Sequence, residues 1–94
     1  MNLVEFVPEF LGTFALIFSI LSTGNWLIIG LTLAAVIFLV GDISGSNVNP
    51  AVSIAMFLTN TISLKKMLWY WLAQILGAIS AVYTYKFIVK HVHS

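Results

Sequence analysis

Few side chains in this sequence have chemical potential. Asn47 and Asn49 close a polar run, Asp42-Ile43-Ser44-Gly45-Ser46-Asn47-Val48-Asn49, that meets Pro50 and then turns apolar. Glu9 stands in an apolar stretch, where an ionisable group costs about 3 kcal/mol on insertion scales and so usually has a task. Two tasks fit it: binding a cation, or accepting hydrogen bonds from backbone N–H groups. Ser44, Ser46 and Ser53 have no histidine or carboxylate partner within sequence reach, so no catalysis is expected and the chain reads as a non-enzyme. Cysteine is absent, which removes disulfides, thiolate metal sites, iron–sulfur clusters and cysteine nucleophiles. His91 and His93 form a His-x-His in the tail. A solvated terminus explains them better than a metal does, and neither metal nor cofactor is expected.

The elements that must position these groups belong in lipid. Of 94 residues, 61% are hydrophobic and 7% charged, where soluble domains carry about a quarter charged. The charges are Lys65, Lys66, Lys86, Lys90, Glu5, Glu9 and Asp42, with no arginine. A net charge of +1 makes no basic surface, so nucleic acid is not an expected partner. The length suits one transmembrane domain over residues 1–94, integral to a cell membrane. A spanning helix needs about 20 mostly apolar residues, and residues 4–22, 26–41 and 64–89 qualify. The acidic leading end argues against a cleaved signal peptide. Glu5 lies near enough to the end to be solvated, and Asp42 reads as a loop residue facing water. Ala73, Gly77 and Ala81 recur every four residues, either as a face for close helix approach or as the ordinary small residues of membrane helices. Trp69, Tyr70 and Trp71, with Trp26, read as anchors at the headgroup boundary.

Residues 42–63 do not fit a simple loop. Asparagine is a strong helix N-cap and proline is at home in the first helical position, so a helix of two to three turns is predicted over residues 50–58. At ~1.5 Å per residue it spans roughly half a hydrocarbon core. A re-entrant loop and half-helix over residues 43–59 would aim its positive N-terminal end at the membrane middle, a form found along permeation paths. The residues alone leave a second reading open, a surface loop followed by a short amphipathic helix lying flat on the membrane.

Ser44-Gly45-Ser46-Asn47-Val48-Asn49-Pro50-Ala51-Val52 resembles the first Asn-Pro-Ala motif of the aquaporin and glycerol-facilitator (major intrinsic protein) family. Glu9-Phe10-Leu11-Gly12-Thr13 is similar to the family's first-helix motif, and Ala73-Gln74-Ile75-Leu76-Gly77-Ala78 to its third-helix motif. The resemblance covers the first of the family's two inverted repeats. It implies an all-α membrane protein, three transmembrane helices plus one re-entrant half-helix, forming half of an aquaporin-like fold that a partner completes. Asn47 stands where histidine is usual. Ile29, just before Gly30, falls at a filter position often aromatic or histidine, which suggests a wider, more apolar constriction.

The resemblance implies a passive channel for water or small neutral solutes such as glycerol, urea or ammonia. Asn49, with Pro50 and Ala51 at the helix end, would donate hydrogen bonds to a passing oxygen. Carbonyls of Gly45, Ser46, Asn47 and Val48 would accept along one side. Ile29 and Leu33 would form an apolar wall, unless they merely face lipid or protein. Glu9 is then expected to brace the loop with Gln74, while Gly12, Gly30, Ala73, Gly77 and Ala81 pack helices. Lys65 and Lys66 at one end balance Lys86 and Lys90 at the other, which gives weak instruction for orientation. The expected partner is a second copy in an antiparallel, dual-topology homodimer, assembled further into a ring such as four dimers. In that dimer no arginine reaches the filter, and a proton or ammonium leak is expected. Two alternatives stand beside it: the amino-terminal half of a split channel that needs a second-half chain, and a small dual-topology multidrug exporter using Glu9.

Overall fold

The computed structural model describes residues 2–92, so His93 lies outside the described residues. Four helices make up the fold: α1 (Leu3–Thr23), α2 (Trp26–Ser44), α3 (Pro50–Leu58) and α4 (Leu64–Val92). Helices α1, α2 and α4 are long and apolar enough to cross a membrane. The nine residues of α3 rise only about 14 Å, roughly half of a hydrocarbon core.

Local sequence sets the boundaries. Asn2 caps α1 by accepting from the Val4 N–H at 2.9 Å. Asn25 caps α2 by accepting from Leu27 and Ile28 N–H at 2.9 and 3.0 Å. Between them Gly24, at φ 56°, ends α1 in the left-handed conformation that glycine takes without a Cβ penalty. Helix α2 runs to Ser44, past the expected stop near residue 41, because the first left-handed residue is Gly45 at φ 85°. Asp42 is therefore exposed within the last turn of a helix and not in a loop.

Packing is inverted relative to a water-soluble domain. The buried polar side chains include Glu9, Thr13, Ser44, Ser53 and Gln74, while Trp26, Phe38 and Leu39 are 81%, 87% and 71% exposed. A polar interior inside an apolar exterior is the distribution expected where lipid replaces water. Helix association then depends on close approach. Ala73, Gly77 and Ala81 are buried on α4, and a Cβ on Gly77 would lie 2.5 Å from the Phe10 carbonyl oxygen of α1. A Cβ on Gly12 would lie 2.8 Å from both Val36 of α2 and Val48.

Gly30 departs from the expected packing role, since a Cβ there would meet nothing within 4 Å. No close contact at Gly30 comes from the described residues. Replacing Gly77 with valine is expected to destabilise the fold by about 1–3 kcal/mol through overpacking, measured by unfolding titration in mixed micelles. Gly30→Ala should leave that midpoint in place, and equal effects at both positions would contradict the α1–α4 contact.

Candidate functional site

The site is built around a fully buried carboxyl group. Glu9, on α1, is 0% exposed. Its Oε2 accepts from Ser44 Oγ at 2.8 Å and the Asn47 N–H at 3.0 Å. Its Oε1 accepts from the Val48 N–H at 2.9 Å and Gln74 Nε2 at 3.0 Å. One side chain thus ties together the end of α2, the loop of residues 45–49 and the middle of α4.

The loop needs this restraint. Ser46 and Val48 both have φ 47°, and left-handed backbone costs roughly 1–2 kcal/mol for a residue with a Cβ. For a β-branched valine it is a genuine outlier. Each buried donor left unpaired would cost about 1–3 kcal/mol, and Glu9 satisfies four of them. The restraint outweighs the strain. With the Asn47 and Val48 N–H groups turned towards Glu9, the carbonyls of Gly45, Ser46, Asn47 and Val48 accept no hydrogen bond within the described residues. They are four unpaired acceptors in succession, although Ser46, Asn47 and Val48 are themselves buried.

A second layer fixes α3 behind the loop. Ser53, 0% exposed, accepts from Gln74 Nε2 at 2.9 Å and Asn47 Nδ2 at 3.1 Å. Trp71 Nε1 donates to the Pro50 carbonyl at 3.2 Å. The Tyr70 hydroxyl lies 2.7 Å from the Ser44 carbonyl and 2.9 Å from Glu5 Oε2, and Glu5 is also ion-paired with Lys66. Two ring residues read as headgroup anchors are therefore bonded to the loop ends, and Glu5 is engaged instead of freely solvated.

Asn49 sits where these restraints converge. Its Oδ1 caps α3 by accepting from the Ala51 N–H at 2.8 Å, which leaves its Nδ2 donor on an exposed residue. Pro50 and Ala51 are exposed beside it. The side chain of Asn47 is only 5% exposed and turns inward to Ser53, so only its carbonyl can serve a passing molecule. Ile29 and Leu33 are half-buried and do not line the groove beside Asn49.

That groove, of about 290 Å³, is walled by Thr13, Leu16, Ile17 and Ile20 of α1 and by Gln74 and Ala78 of α4. Thr13 Oγ1 and Gln74 Oε1 are buried and lack partners among the described residues. The α1 wall has the spacing i, i+3, i+4, i+7 of one helix face, a pattern present in the sequence but hidden in a span apolar on every side. Ser44 and Ser53 carried no comparable signal, because their bonds to Glu9 and Gln74 reach 35 and 21 residues along the chain.

The sequence model of the Major intrinsic protein family matches residues 1–94. The chain belongs to the major intrinsic protein family. Among curated relatives, aquaporin Z of Brucella melitensis is 39% identical over 88 residues, covering 78% of this chain and 39% of its own length. Aquaporin-4 of Mus musculus is 40% identical over 89 residues, covering 76% and 27%. A glycerol uptake facilitator protein-like 6 of Lactiplantibacillus plantarum is 38% identical over 86 residues, covering 82% and 40%. This major intrinsic protein chain spans two fifths or less of the length of these relatives. No solved structure matches it significantly.

A Glu9→Gln substitution tests the brace. Ser44 Oγ and Gln74 can turn to follow an amide, but the Asn47 and Val48 N–H groups cannot, so either amide orientation leaves one loop N–H facing an NH₂ group. In a single-cysteine variant, Ser46→Cys, reaction with a water-soluble maleimide is expected to rise at least tenfold when Glu9→Gln is added. Unchanged labelling would mean that the loop holds its conformation without Glu9.

Proposed function

We propose that this chain forms one half of a passive pore for water and small neutral solutes such as glycerol, urea and ammonia, completed by a second copy inserted antiparallel. The observation that carries the reading is the exposed Asn49 amide at the N-terminal end of α3, beside four unpaired loop carbonyls. Kinship with aquaporins, and with a relative named for glycerol uptake, supports it.

The chemistry follows from that geometry. A water oxygen at the pore centre accepts from Asn49 Nδ2, and its hydrogens then point away along the carbonyl row. Hydrogen-bond order reverses across the centre and interrupts a proton wire. The N-terminal ends of two opposed half-helices, each equivalent to about half a positive charge, oppose cations there. Carbonyls of residues 45–48 replace part of the hydration that a solute gives up. Ile29 and Leu33 remain candidates for the wall that a second copy completes.

Two open features favour a second copy as the other half: the groove beside Asn49 and the uncovered Gly30. A half-helix with free N–H groups at its tip suits the groove. The exporter alternative gains no support, because Glu9 is enclosed and already engaged by four donors.

Vesicles containing only this chain should shrink in a sucrose gradient at least tenfold faster than empty vesicles, and Asn49→Asp should abolish most of the difference. Asn49→Cys should yield an oxidant-dependent dimer between copies of opposite orientation, and Gly30→Leu should prevent it without unfolding the chain. Shrinkage no faster than lipid alone would refute a self-sufficient pore, and recovery on adding a second-half chain would establish the split-channel alternative.

A further inference from the structure

A second cavity lies where the start of α1 meets the start of α4. It has a volume of about 240 Å³, and Asn2, Ser63, Lys65 and Lys66 contribute polar groups to a lining that includes the rings of Phe6 and Trp69. Glu5 also borders it and is ion-paired with Lys66. Lys66 is further held above the Tyr70 ring, its Nζ 5.9 Å from the centroid. Lys65 is exposed and has no carboxylate partner among the described residues. The cavity therefore keeps one uncompensated ammonium group. Ser63, whose Oγ accepts from the Lys66 N–H at 3.1 Å, retains a hydroxyl donor.

We infer that this cavity is a binding site for the phosphate headgroup of an anionic phospholipid. A phosphate oxygen takes the Lys65 ammonium and the Ser63 hydroxyl, both of which donate to anions. The cavity opens at the ends of two membrane-crossing helices, the depth at which a bilayer places its phosphates. Leu64 and Leu68, 52% and 51% exposed, continue the apolar surface along which acyl chains run. Trp69 sits at the boundary between the two zones, where its amphipathic ring is at home. A free phosphate would gain the ammonium and the hydroxyl but nothing from Phe6 and Trp69. An amphiphile uses both, so the lipid is the occupant assigned. Glu5 and Tyr70 on its border also bond towards the loop, but Lys65 and Ser63, which take the phosphate, do not, and the assignment does not depend on the pore reading.

Native mass spectrometry of the detergent-purified chain, titrated with dioctanoyl phosphatidylglycerol, dioctanoyl phosphatidylcholine or inorganic phosphate, tests the assignment. The expected result is at least tenfold tighter binding of the glycerol lipid than of the choline lipid, with no saturable binding of inorganic phosphate. Lys65→Gln should remove most of the preference and Lys65→Arg should restore it. Lys86→Gln, an equal loss of charge at the opposite end, should leave it intact. Equal affinity for the two lipids, equal effects of Lys65→Gln and Lys86→Gln, or inorganic phosphate competing as well as the lipid would each overturn the proposal.

Discussion

A carboxyl group with no access to solvent, taking hydrogen bonds from three different segments, is the constraint on which this fold turns. Without Glu9, the loop before α3 would hold two left-handed residues and several buried donors with nothing to offset them. Non-helical backbone at membrane depth survives only where protein satisfies its polar groups. Glu9 satisfies the Asn47 and Val48 N–H groups and leaves the loop carbonyls unpaired. The same contact thus makes the loop stable and chemically one-sided, and places Asn49 at the end of a short helix with its amide directed outward.

The small residues serve that carboxyl group. Gly77 lets α1 approach until the Phe10 carbonyl would touch any added carbon, and Gly12 lets Val36 and Val48 close in from the other side. Such distances bring Glu9 within about 3 Å of donors on α2, the loop and α4. In lipid, where hydrophobicity provides little drive between helices, this polar knot and the close backbone contacts must hold the bundle. The exposed aliphatic surface contributes to solvation in the bilayer and little to cohesion.

Much of the architecture was legible in the residues. Asn49-Pro50 marked the start of α3, the isolation of Glu9 in an apolar stretch marked it as paired with something, and the family resemblance set Gln74 beside it. Their shared bond, between Gln74 Nε2 and Glu9 Oε1, needed coordinates. The roles of Ser44 and Ser53 were hidden because a serine in a membrane helix is common and its partner is set by tertiary register. Tyr70 is more instructive. It stands three residues before Ala73 and seven before Gly77, on the packing face of α4, so its burial was written in the helical period. The neighbouring tryptophans drew the reading towards an interfacial ring. The side-chain bond from Asn47 to Ser53 was likewise hidden, because six residues of irregular backbone and helix start separate the two.

The hairpin joining α1 to α2 has a consequence for how the chain enters a bilayer. Its tip, Ser22-Thr23-Gly24-Asn25, is uncharged, and Asn25 and Thr23 spend their side chains on nearby backbone. A tip whose hydrogen-bonding groups are largely met internally sheds less water on the way across, and no ammonium group holds it on one side. Translocating this end is therefore an inexpensive step from whichever compartment synthesis delivers it.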